Sequence, residues 1–191
     1  VDPKPVSASR VEIAQIMMPN DANFLGKVFG GSILAMIDLC AYAASAKHAE
    51  GVCVTASFDR VDFLEPINVG DVVAMHGHVS YVGRTSLEVT IDIFAENPMR
   101  GDRRKTNTAR VTMVAIDEEG RPRRVPPLLP ETREERLAFL EGKLRRELRA
   151  VQKEELERCT AALAELGDDD LARLLEEKNV LERLPISRNL P

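Results

Sequence analysis

One carboxylate, Asp38, stands among apolar and small residues in the stretch NDANFLGKVFGGSILAMIDLCAYAASAKH, Asn20 to His48. Wound as a helix, Ile33, Leu34, Met36, Ile37, Leu39, Ala41, Ala43 and Ala44 point in nearly every direction, which predicts a buried helix. An ionised Asp there loses hydration worth several kcal/mol unless it is paired, and Asp is a poor mid-helix residue. Two roles are open to it. It can bond a neighbouring backbone group or an Arg and specify packing, or it can serve as a carboxylate in a dry cleft, suited to general-base or nucleophilic work. Gly30 lies just over two turns earlier on about the same side, with about 12 Å of rise between them. A backbone N–H at a helix start is an anion site, and a glycine permits close approach of a carbonyl oxygen. A Gly-Gly pair is also ordinary helix-start geometry.

Further along, VGRTS places Arg84 and the hydroxyls of Thr85 and Ser86 beside Gly83. That set suits a phosphate contact as well as a plain hairpin turn. Arg60, in FDRVDF, reads equally as a ligand contact or a solvated strand residue. The run RGDRRK reads either as a grip on phosphates or, as charge runs in loops usually are, as a solvated cluster. His76 and His78 alternate so as to share one strand face, but no third ligand pattern accompanies them and zinc takes at least three protein ligands, so no metal is expected. Cys40, Cys53 and Cys159 are odd in number and widely spaced, against a disulfide framework and in keeping with a reducing compartment.

These residues need elements to hold them. VEIAQIMMP predicts a first strand ended by Pro19, and NDANFLGK a loop. After the helix the period changes to two. VCVTASFDRVDF, GDVVAMHGHVSYV, TSLEVTIDIFAE and TNTARVTMVAID predict four more strands separated by turn formers. Strand, long helix, then a strand meander is an α+β order, an antiparallel sheet of five or six strands packed on one helix. The proline-rich EGRPRRVPPLLPET marks a boundary, giving a domain over residues 8–130 and an extension over 131–184. In the extension Leu137, Leu140, Leu144, Leu148, Val151, Cys159, Leu163 and Leu166 recur at three- and four-residue spacing amid dense charge. LGDDD then breaks the pattern, predicting an amphipathic helical hairpin whose apolar stripe needs a covering surface.

The net charge of -5 argues against a general phosphate-backbone binder, so no nucleic-acid partner is expected. The apolar run Ser32 to Ala46 is shorter than the roughly 20 residues a spanning helix needs and is broken by Asp38. With no apolar core of a signal sequence in VDPKPVSASR, the expected location is the cytoplasm, without a membrane anchor.

The motifs PNDANFLGKVFGGSILAMID, FDRVDFLEPINVGD, VGRTSLEV and AENPMRGDRRKTNTARVTMVAID occur in that order. From about Val11 to Pro130 the chain resembles the hotdog-fold acyl-CoA thioesterases, specifically the cytosolic acyl-CoA hydrolase branch. The resemblance implies a curled antiparallel sheet around a central helix, and hydrolysis of acyl-CoA to free acid and CoA without a separate cofactor. It implies that Asp38 and Asn23 form a catalytic pair across the interface of a homodimer, assembled further into a tetramer or hexamer. Gly30 would supply the oxyanion N–H, and Arg60, Gly83, Arg84, Thr85 and Ser86 would contact CoA. Some relatives carry His where this chain has Phe29, so only a backbone role at that turn carries over. Two other readings use the same scaffold. A hydratase or dehydratase would want a site His, which the loop and helix lack; a non-catalytic acyl-CoA sensor would not need the buried acid.

Overall fold

The computed structural model describes residues 2–63 and 65–184. A short strand β1 (Lys4–Pro5) and a 3₁₀ turn lead into β2 (Val11–Ile16), and a loop carries the chain to α1 (Gly30–Ala49). Then come β3 (Cys53–Phe58), β4 (Val72–Val82), β5 (Ser86–Asn97) and β6 (Asp102–Ala115), the short β7 (Leu128–Leu129), α2 (Arg133–Ala164) and α3 (Asp168–Leu175). Five strands form one antiparallel sheet in the order β2-β4-β5-β6-β3. All five expected strands are present, the first and the four from the period-two runs.

The alternation sorts the sheet's two faces. Val73, Met75 and Val79 on β4, Leu87, Val89, Ile91 and Ile93 on β5, and Ala109, Val111 and Met113 on β6 are buried on the face that takes α1. From the helix, Ile33, Met36, Ile37, Cys40, Ala41 and Ala44 complete the core. Gly77 is what lets α1 come so close, because a Cβ there would lie 2.6 Å from Cys40 Sγ. Register shifts at Val79/Tyr81, Ile93/Phe94 and Thr55/Ser57 mark the irregularities that bend a sheet around a helix. No helix among the described residues is long and apolar enough to cross a membrane.

Two expectations change. The residue pattern predicts α1 buried on all sides, yet in the single chain Leu34, Leu39 and Tyr42 are exposed, Leu39 by 61%. A five-stranded sheet covers one side of a helix and leaves the other for something else. The proline-rich exit is also anchored: β7 pairs parallel with β1, Lys4 N–H donates to Pro127 O at 2.9 Å, and His48 Nε2 lies 2.9 Å from Pro126 O. Two compact units emerge, residues 1–142 and 143–191. The first takes in the opening turns of α2, where Phe139 packs on Tyr81 at 5.1 Å between ring centroids.

Candidate active site

Asp38 projects from the middle of α1 and is half-buried. Neither an Arg nor a backbone group holds it among the described residues. Its partner is Thr55 on β3, whose hydroxyl donates to Asp38 Oδ1 at 2.5 Å and lies 3.5 Å from Met113 Sδ. Both elements are needed for this contact. The pairing of Thr55 with Met113 on β6 turns Thr55 toward the helix, just before the register shift in β3. One carboxylate oxygen is thereby fixed and the other remains for a second donor. Thr55 escaped the sequence reading, which treated its run only as a strand. The available signal was a hydroxyl residue on the strand that follows the acid-bearing helix.

The loop before α1 is organised by Asn23. Its Oδ1 accepts from Leu25 N–H at 2.9 Å and Lys27 N–H at 3.2 Å, and its own N–H donates to Lys27 O at 2.7 Å. Gly26, at φ 72°, makes the left-handed turn that closes the loop. The carboxamide oxygen is thus committed to the backbone, and the NH₂ is the polar end left to meet a ligand. Asn23 and Gly30 line one cleft of about 410 Å³ together with Lys27, Ile33, Phe63 and Glu65. The Gly30 N–H opens α1 and so has no acceptor within the helix. Steric room is not the reason for a glycine there, since an added Cβ would only touch the Phe63 ring at 3.5 Å. Asp38 does not line this cleft.

An ion pair between half-buried Arg104 and buried Asp71 holds Glu65 and Pro66, which line the cleft. Asp71 is fully buried, and Arg104 binds its Oδ2 at 3.1 Å while donating to Pro66 O at 3.1 Å and pairing with Glu65 at 3.2 Å. Arg104 belongs to the RGDRRK run, which is therefore partly structural: β6 starts at Asp102 and turns this side chain inward. Arg103, next to it, stacks on Phe94 and lies 2.9 Å from His76 Nε2.

The CoA candidates separate. Gly83 and Arg84 line a second cleft of about 260 Å³ with Arg124, Val125, Leu128 and Phe139. Thr85 and Ser86 shape its turn through the backbone, with Gly83 N–H donating to Ser86 O at 2.8 Å and Ala115 N–H to Thr85 O at 3.0 Å. Arg124, in the proline-rich exit, is a second cation here that sequence reading passed over. Arg60 lines neither cleft; it is exposed and bonds Asp62 at 2.7 Å. His76 and His78 do share the face of β4 away from α1. Burial pushes the His78 pKa down, opposed by nearby Asp92.

Comparison with known proteins follows the same outline. The thioesterase superfamily model matches residues 25–101. The chain is 39% identical over 127 residues to YkhA of Bacillus subtilis, an uncharacterized acyl-CoA thioester hydrolase, covering 66% of this chain and 74% of that protein. It is 31% identical over 144 residues to the cytosolic acyl coenzyme A thioester hydrolase of Mus musculus, spanning 74% of this chain but 38% of the mouse protein's length. Among solved structures, an apo-hexameric acyl-CoA thioesterase superposes with a TM-score of 0.76 at 39% identity, covering 80% of this chain and 98% of that one. The Staphylococcus aureus acyl-CoA hydrolase, solved with butyryl coenzyme A, coenzyme A and coenzyme A disulfide, gives a TM-score of 0.74 at 34% identity, covering 85% and 99%. That hydrolase was also solved with alanine in place of single Asn, Asp and Thr residues spaced 15 and 17 positions apart. Asn23, Asp38 and Thr55 stand at the same intervals. The curled sheet around α1, the order of the motifs and these matches agree, and the chain belongs to the hotdog-fold acyl-CoA thioester hydrolases of the thioesterase superfamily.

Proposed function

We propose that this protein hydrolyses fatty acyl-CoA to the free acid and CoA at sites built by two protomers, Asn23 and Gly30 from one and Asp38 with Thr55 from the other. One observation carries this reading. Asp38 does not line the cleft with the amide and the helix-start N–H, whose one carboxylate, Glu65, is paired with Arg104, while Asp38 lies on an α1 face whose neighbours Leu34, Leu39 and Tyr42 are exposed in the single chain. An apolar face around a polar centre is what a second protomer would cover. The hexameric state of related thioesterases supports a homo-oligomer of such pairs.

In this reading the thioester carbonyl oxygen accepts from the Gly30 N–H, which stabilises the developing oxyanion. Water, held between the Asn23 NH₂ and the free oxygen of Asp38, gives a proton to Asp38 as its oxygen bonds the carbonyl carbon. Collapse of the tetrahedral intermediate breaks the C–S bond, and the proton on Asp38 passes to the departing CoA sulfur. Thr55 keeps Asp38 in one orientation throughout. Arg84 and the cleft around Gly83 receive the CoA half, with Thr85 and Ser86 shaping the turn; Arg60, paired to Asp62, is a peripheral contact at most. No cofactor enters this chemistry. The proposed location is the cytoplasm, where acyl-CoA substrates are met in water.

Thiol release across acyl-CoA chain lengths tests the proposal directly. Asp38→Asn, nearly isosteric, is expected to fold as wild type and to lose about a hundredfold to ten-thousandfold in kcat, the range for a general base. Wild-type turnover in the folded variant would overturn the assignment of Asp38.

A further inference from the structure

The opening turns of α2, within the first unit, pack on the sheet through one side of the helix. Phe139 packs on Tyr81, and Gly142 lies so close to β4 and β5 that a Cβ on it would sit 2.5 Å from Tyr81 Cβ and 3.0 Å from Glu88 Oε1. On the opposite side runs a stripe of Leu137, Leu140, Leu144, Leu148 and Val151. Its four leucines are 42–59% exposed. The intervals along the stripe are three, four, four and three residues, so it reads the same in both directions about Leu144.

We infer that this stripe docks against the same stripe of a second copy of the chain, antiparallel, with Leu144 on the two-fold axis. Reversal about Leu144 sets Leu137 opposite Val151, Leu140 opposite Leu148 and Leu144 opposite itself, which is the self-complementarity an isologous contact requires. The charges beside the stripe fit the same register. On one flank Glu141 meets Arg145 of the second copy. On the other, Lys143 meets Glu147 and Arg136 meets Glu154, each offset by about two residues, or about 3 Å of helix rise. By symmetry each pair occurs twice. A parallel pairing in register would instead bring every leucine against its own copy along the whole stripe.

Cysteine cross-linking of the full-length protein tests both the contact and its direction. Under mild oxidation Leu144→Cys is expected to link to itself and convert most of the protein to a covalent dimer. Leu137→Cys alone is expected to stay monomeric in denaturing gels, because its two copies are 14 residues apart along the pair, about 21 Å. An equimolar mixture of Leu137→Cys and Val151→Cys should cross-link. Wild-type protein, with its buried cysteines, reports the background. No link at Leu144→Cys above that background, in protein of wild-type melting temperature, would overturn the contact. Self-linking of Leu137→Cys as efficient as that of Leu144→Cys would overturn the antiparallel register. Charge exchange gives an independent check by native mass spectrometry: Glu147→Lys should weaken the association and Lys143→Glu/Glu147→Lys should restore it. Failure of the double variant to recover counts against the pairing.

Discussion

At Asp38 the unfavourable features of the sequence and the chemistry meet. A carboxylate in the middle of an apolar helix costs stability, and the contact that compensates is one hydroxyl on another element, Thr55 at 2.5 Å. A hydrogen bond to a charged group contributes about 1.5–3 kcal/mol. If that contact orients the base, Thr55→Ala should lower kcat about 10- to 100-fold with little change in KM, and Thr55→Ser, which keeps the hydroxyl, should recover most of the loss. An equal fall in Thr55→Ala and Thr55→Ser would instead point to packing of the β-branched methyl. Asn23 works differently, since its side-chain oxygen is spent on the Leu25 and Lys27 N–H groups. Replacing it loosens the loop as well as removing the NH₂, so its effect on KM should exceed that of Thr55→Ala.

Among the elements, α1 and the opening turns of α2 take opposite sides of the sheet by different means. The sheet meets α1 through small residues and Gly77; it meets α2 through Gly142. In an exposed helix Gly→Ala stabilises by about 1 kcal/mol, but here the new methyl would collide with Tyr81 Cβ, and overpacking costs about 1–3 kcal/mol. Gly142→Ala is therefore expected to lower the melting temperature, against the helix-propensity trend, as differential scanning calorimetry would register. The end of α1 carries a pH dependence. His48 is fully buried against Pro126, and desolvation pushes its pKa below the ordinary value, the Pro126 carbonyl opposing and Lys4 adding to the shift. The unfolded chain therefore binds a proton that the folded one refuses. The stability from neutral His48 is present above the ordinary pKa of about 6.5 and is lost as pH falls below it. Melting temperature should drop between pH 7.5 and 5, and the drop should be shallower in His48→Gln.

For the whole molecule, the decisive question is whether Asp38 and Asn23 of one site come from different chains. Asn23→Ala and Asp38→Ala should each be inactive as uniform assemblies. Co-refolded, random pairing makes about half the dimers mixed, each with one intact site of two, so roughly a quarter of wild-type thiol release should return. Background activity with mixed dimers confirmed by native mass spectrometry would place the site within one chain. The antiparallel α2 contact is a separate joint between copies, and its cross-links do not depend on the outcome of this mixing.

Local residue pattern by itself determined much of the architecture. Period-two runs set which side chains of β4, β5 and β6 turn inward, and the unbroken apolar stretch after Gly30 set α1, so the α+β class and the sheet-on-helix arrangement followed from neighbours in the chain. Asp38, Gly30 and the Gly83–Arg84 turn were visible because polar groups in apolar or turn contexts stand out locally, whereas Asn23 came only from the resemblance of the motifs to a known family. Tertiary structure alone decided what each of them meets. Thr55 reaches Asp38 only through the register of β3 on β6, and a slip of one residue would turn it to the other face. The pairing of Arg104 with buried Asp71, and of the proline-rich exit with β1, likewise joins segments tens of residues apart. No local period encodes such partners. The exposed face of α1 has the same cause: an all-round apolar helix records that every side will be covered, while the sheet has only one face to offer, and the proposed shared site gives the remainder to a second chain.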